Sequence, residues 1–204
     1  KVYLSKWPGN LSVAGPRLAL DRHFHVICML RDPRDMIASR HAADPERYWI
    51  SLRTWKQQLA VARRLMRNER FILVRYEDLV AEPDATQAAI ARRLPFLQAT
   101  DTFSRFHLQA DPSGPARAAL GGLRAIEPRR IGNWRAHLPR LAGQLARHGA
   151  ITRELIELGY EKDDAWLSAL DGVEPDMSPS HFGETADWYS RMRRARSGLR
   201  AGLS

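Results

Sequence analysis

With 204 residues, 44% of them hydrophobic, the chain is long enough for one domain with a sizeable core and a tail. No run of eighteen apolar residues occurs, which argues against a membrane-spanning helix, and a single cysteine, Cys28, rules out an internal disulfide and argues against a cysteine-rich metal centre. The net charge of +9 suits an anionic partner (a nucleotide, a sulfated or acidic glycan, a nucleic acid) or simply an arginine-rich solvated surface, since only four of the 32 basic residues are lysine.

Taken in chain order, VYLS at 2–5 reads as the end of a short strand, and FHVICML at 24–30 as a buried one. Asp32-Pro33 then gives a helix start, with Asp32 as cap and Pro33 at the first position, where a missing N–H costs nothing. Asp44-Pro45 repeats that signal. The segment after it carries Trp49, Leu52, Trp55, Leu59, Ala62 and Met66 at steps of three and four, which predicts an amphipathic helix with an apolar, core-facing stripe. FILVRY at 71–76 reads as a third strand, followed by EDLVAEP and then by another helix, DATQAAIARRL. Residues 98–123 are turn-rich and weakly periodic, as functional covers and mobile segments often are. IGNWRAHL leads into a helix ending near Leu158-Gly159-Tyr160, and the chain closes on a basic, helix-like stretch, ADWYSRMRRARSGLR. Strands alternating with helices predict an α/β fold with a parallel sheet.

In such a sheet, ligands bind outside the carboxyl ends of the strands. Arg31 stands at that end of its strand. Ser39, about two helical turns into the next segment, is expected to return to the face of Asp32. An arginine fork and a serine hydroxyl flanking one pocket suit a dianionic phosphate. Asp32 and Asp35 are expected to cap the helix and orient arginines. The plainer alternative is a capped helix with surface ion pairs, each worth about 0–1 kcal/mol.

RDPRDMIAS at 31–39 resembles the 3′-phosphate-binding motif of sulfotransferases that use 3′-phosphoadenosine 5′-phosphosulfate (PAPS). YLSKWPGN resembles the strand and lysine that precede that motif in bacterial and carbohydrate-type members. FILVRYEDLVAEPDATQAAIARRL is similar to the family's strand, Tyr-Glu-Asp-Leu turn and helix, and RRIGNWRAHL to its C-terminal cofactor-side segment. The resemblance covers about 2–160. It implies a P-loop-NTPase-like parallel sheet flanked by helices in a sulfotransferase domain at 1–160, with 161–204 as a C-terminal extension ending in a basic helix.

The resemblance also implies roles. Arg31 and Ser39 would bind the 3′-phosphate, and Tyr76 would pack by the adenine, its other reading being a core aromatic. Glu77 and Asp78 are expected to cap the next helix. Arg129 and Arg130 would close over the phosphate, although IEPRRIGNW departs from the family's Arg-Lys-Gly pattern. Trp134 is expected to pack in the core near the cofactor. Lys6 would be catalytic, stabilising charge on the bridging oxygen as the sulfuryl group leaves.

Two features depart from the family. The Gly-rich 5′-phosphosulfate loop, with its strand and helix, does not occur; the chain is expected to start after it. A general base is also missing from the lysine motif, where Pro8 and Ser5 occupy the usual His and Glu positions, and His41 is a distant candidate. The expected enzyme is a cytoplasmic sulfotransferase of bacterial type that converts PAPS to PAP (3′-phosphoadenosine 5′-phosphate) without a metal. Its acceptor would be a small molecule or carbohydrate hydroxyl or amine, with no nucleic-acid partner and with the oligomeric state open, a homodimer included. The competing readings are a non-catalytic or truncated PAP-binding protein, a P-loop kinase relative, and a nucleic-acid-binding module.

Overall fold

The computed structural model describes residues 2–3, 11–41, 44–112 and 123–182. In chain order the elements are α1 (Ala14–Leu20), β1 (Val26–Leu30), α2 (Pro33–Ile37), β2 (Arg40–His41), β3 (Asp44–Ile50), α3 (Leu52–Leu65), β4 (Phe71–Arg75), α4 (Tyr76–Ala81), α5 (Pro83–Arg93), α6 (Phe106–Gln109), α7 (Leu138–His148), α8 (Thr152–Glu157) and β5 (Ser180–Phe182). Short 3₁₀ turns precede α1, α6 and α7, and another covers Ala165–Leu170. The fold is mixed α/β with parallel strands. The described residues form two compact units, one of residues 1–31 and 57–131, the other of 32–56 and 132–204.

In the first unit β1 and β4 pair in parallel, with Val26 opposite Phe71 and Leu30 opposite Arg75. Side chains alternate across a strand, so β4 serves two cores. Phe71 joins Leu18 and Ala62, with Val26, Cys28 and Leu73 packed beside them. Ile72 and Val74 face the other way, onto Leu94, Ile90 and Leu97. A side chain ties the approach to β1 in place: the Arg70 guanidinium donates to the carbonyls of Leu18, Asp21 and Phe24.

Burial pushes the Cys28 thiol up to about 11. At pH 8 the thiolate fraction then falls about a hundredfold below that of an ordinary thiol. Native protein should therefore react with a thiol-specific disulfide reagent about a hundredfold more slowly than urea-unfolded protein, and equal rates would contradict this burial.

In the second unit β2, β3 and β5 form a separate sheet, antiparallel between β2 and β3 and parallel between β3 and β5. Asp44-Pro45 opens strand β3, not the predicted helix. Tyr48, Trp49 and Ile50 are good strand formers, and β2 and β5 supply hydrogen-bond partners that the periodicity of one segment does not reveal. The helix starts only after Ser51, whose hydroxyl accepts the Thr54 N–H at 3.3 Å. Of the predicted stripe, Leu52, Trp55, Leu59 and Ala62 are buried, whereas Met66 is exposed and Trp49 lies on β3.

The second unit is pinned by polar side chains on α7. Fully buried Arg140 donates to the carbonyls of Ile37 and Ser178 and to the Ser180 hydroxyl, with its guanidinium 4.3 Å above the Tyr48 ring. The Gln144 carbonyl accepts the Leu52 N–H at 2.7 Å, satisfying one of the free amides at the start of α3. The chain runs so close at Gly143 that an added Cβ would collide with the Asp176 main chain. Lys56 donates to the carbonyls of His148, Gly149 and Ala150 just past the end of α7, where a cation is favoured.

Candidate functional site

The turn from β1 into α2 is built as the sequence predicts at its start and differently further on. Asp32 caps α2, accepting the Arg34 N–H at 2.9 Å, and Pro33 takes the first helical position. The helix then stops at Ile37, with Ala38 as its C-cap. Ser39 is therefore not two turns along the same helix. Its hydroxyl donates to the Met36 carbonyl at 2.7 Å, and its own carbonyl accepts the Trp49 N–H at 2.9 Å. Pairing with β3 draws the chain out of the helix at this point.

In the first unit Arg31 is half-buried at the carboxyl end of β1. One terminal nitrogen, Nη2, donates to the Arg130 carbonyl at 2.9 Å, and the guanidinium carbon sits 4.5 Å from the centroid of the Tyr76 ring. Tyr76 is the first residue of α4, directly after β4. Parallel pairing therefore brings an arginine from one strand end over an aromatic ring from the next. Glu77 and Asp78 lie inside the first turn of α4, itself the helix that follows β4. Acidic groups suit that place because of the helix dipole. Arg129 and Arg130 are both exposed, and Arg129 pairs with Glu127.

In the second unit Arg34 is only 3% exposed and forms the centre of a cage. Its guanidinium pairs with Asp32 at 2.7 Å and with Glu161 at 2.5 Å. Trp134 and Trp166 lie 4.4 and 5.1 Å from it, in range for cation–π attraction. Burial opposes its charge, but hydrogen bonds and attraction from Asp32 and Glu161 outweigh that and hold its pKa above the ordinary arginine value. Asp35, 1% exposed, accepts the Gly132 N–H at 2.9 Å and the Trp134 N–H at 2.8 Å. Trp134 is buried, as expected.

Arg34, Glu161 and Trp166 were not legible as a group. Arg34 resembles a surface ion-pair residue in sequence, and of its partners Glu161 and Trp166 lie more than a hundred positions away. Lys6, Ser5 and Pro8 lie outside the described residues, as do 113–122 of the turn-rich stretch, the basic end of the chain and the side chain of His41. Among the described residues no group of three or more His, Cys, Asp or Glu side chains is placed to hold a metal ion, and no helix is long and apolar enough to cross a membrane.

A model of the sulfotransferase family matches residues 1–96. Residues 1–96, just under half of the chain, are therefore similar to that family. No curated protein and no solved structure matches the chain. The matched segment contains Lys6, the RDPRDMIAS turn, strands β1 and β4 and Tyr76, whereas Arg129, Arg130 and most of the Arg34 cage lie beyond it.

Proposed function

We propose that this chain is a sulfotransferase that transfers a sulfuryl group from PAPS to an acceptor hydroxyl or amine, a carbohydrate being the first acceptor class to test. The observation that carries the reading is Arg31. Within the matched segment, its guanidinium stands at a parallel strand end, 4.5 Å from the Tyr76 ring. A fixed cation beside an aromatic face suits a purine nucleotide with an extra phosphate. Arg31 and Ser39 take the 3′-phosphate in this reading, Tyr76 packs by the adenine, and Arg129 and Arg130 close over the phosphate. The sheet is the core of a P-loop-like fold.

In the reaction, the acceptor oxygen or nitrogen forms a bond to sulfur as the bridging bond between sulfur and the phosphate oxygen breaks. PAP leaves with the bonding electrons, and Lys6 stabilises the charge developing on that oxygen. The acceptor proton passes to a base. Because Pro8 and Ser5 supply none, binding of PAP without transfer is the second reading.

Calorimetric titration with PAP, and with adenosine 5′-phosphate as control, tests the site. A clear preference for PAP supports it, and equal or absent binding overturns it. Transfer of labelled sulfate from PAPS to a panel of glycans then separates an enzyme from a binding protein.

A further inference from the structure

We infer that Asp35 is a positioning residue that holds the main chain at 132–134 in place before any ligand arrives. The inference rests on the nucleotide reading above only in what this segment is for. Its geometry is independent of that reading. Asp35 lies on α2, and its two carboxylate oxygens each take a different main-chain amide, those of Gly132 and Trp134. Gly132 turns the chain with φ of 74°, a left-handed conformation that glycine adopts without strain. The Trp134 side chain is buried against the Arg34 guanidinium.

Main-chain N–H groups turned toward one point, as those of Gly132 and Trp134 are on either side of Asn133, make a place for an anion such as phosphate. Here the protein's own carboxylate already occupies those donors. A carboxylate this deeply buried is costly unless its oxygens are satisfied, and two charge-assisted bonds satisfy them. The two amides are therefore committed to Asp35. What they secure is the chain directly after Arg129 and Arg130, whose side chains remain exposed. A ligand that uses those arginines meets a segment already ordered and is spared the entropy of ordering it.

Hydrogen–deuterium exchange of the full chain, read on a peptide spanning residues 130–136 with and without PAP, tests this alongside calorimetry with PAP and adenosine 5′-phosphate. The wild-type peptide is expected to be protected without nucleotide and little changed by PAP. In Asp35→Asn, and in Asp35→Ala where it folds, the peptide should exchange rapidly alone and regain protection only with PAP. Affinity for PAP should fall about tenfold through the restored ordering cost, while affinity for adenosine 5′-phosphate holds. A purely structural role would lower both affinities together. Rapid exchange in the wild type without nucleotide overturns the inference, as does an Asp35→Asn protein that keeps both protection and PAP affinity. If the wild type shows no preference for PAP, the nucleotide reading fails, and the exchange pattern alone still decides the role of Asp35.

Discussion

Replacing Arg34 with alanine is expected to destabilise the protein by about 3–5 kcal/mol, the usual cost of removing one partner from a buried ion pair. Two carboxylates lose their counter-charge together. Asp32 is 7% exposed and has little access to water, while the Glu161 side chain is 22% exposed and recovers part of its hydration. Trp134 and Trp166 also lose the cation beside them. The urea midpoint should therefore fall furthest for Arg34→Ala, less for Asp32→Asn and least for Glu161→Gln. Added salt should barely change that order, because buried pairs are poorly screened. A loss below about 1 kcal/mol for Arg34→Ala, the range of a surface pair, would show that the cage contributes little.

Arg31→Ala is expected to act on binding more than on stability. A charge-assisted hydrogen bond contributes about 1.5–3 kcal/mol, so losing the fork should weaken PAP binding about a hundredfold. Affinity for adenosine 5′-phosphate should change little. Arg31→Lys should fall between wild type and alanine, since it keeps the charge and loses the planar donors. The half-buried Arg31 side chain donates to the Arg130 carbonyl and lies over the Tyr76 ring at the edge of the sheet, so circular dichroism should remain native. Unchanged PAP affinity in a folded Arg31→Ala protein would remove the phosphate assignment.

Features set by neighbouring residues were legible in the sequence. The strands within FHVICML and FILVRY, the Asp32-Pro33 helix start and the Leu52–Ala62 stripe all rest on local chemistry, and the structure has them, although Ile27 and Met29 of the first strand are exposed rather than buried. Features set by distant partners were not. PERYWI becomes a strand because residues 180–182 pair with it, and α2 is short because Arg40 leaves to join the same sheet. The candidate site divides in the same way. Arg31 and Tyr76 stand out because each directly follows a strand. Arg34 and Asp35 look in sequence like two more charges in a polar turn, and only the return of residues 132–166 shows that both are buried.

The second unit is assembled from two stretches of chain, 32–56 and 132–204, with residues 57–131 belonging to the first unit. During synthesis at about 5–20 residues per second, the earlier stretch waits roughly 4–15 seconds for the first residues of the later one. Over that interval Arg34 and Asp35 have neither Glu161 nor the Gly132 and Trp134 amides. Leu52 and Trp55, which end up in the core, are equally uncovered. The charges in the RDPRD turn are costly to bury later, but on the nascent chain they keep an unfinished apolar segment hydrated. A chain whose synthesis pauses before the 132–166 stretch has emerged would therefore keep that segment uncovered for longer.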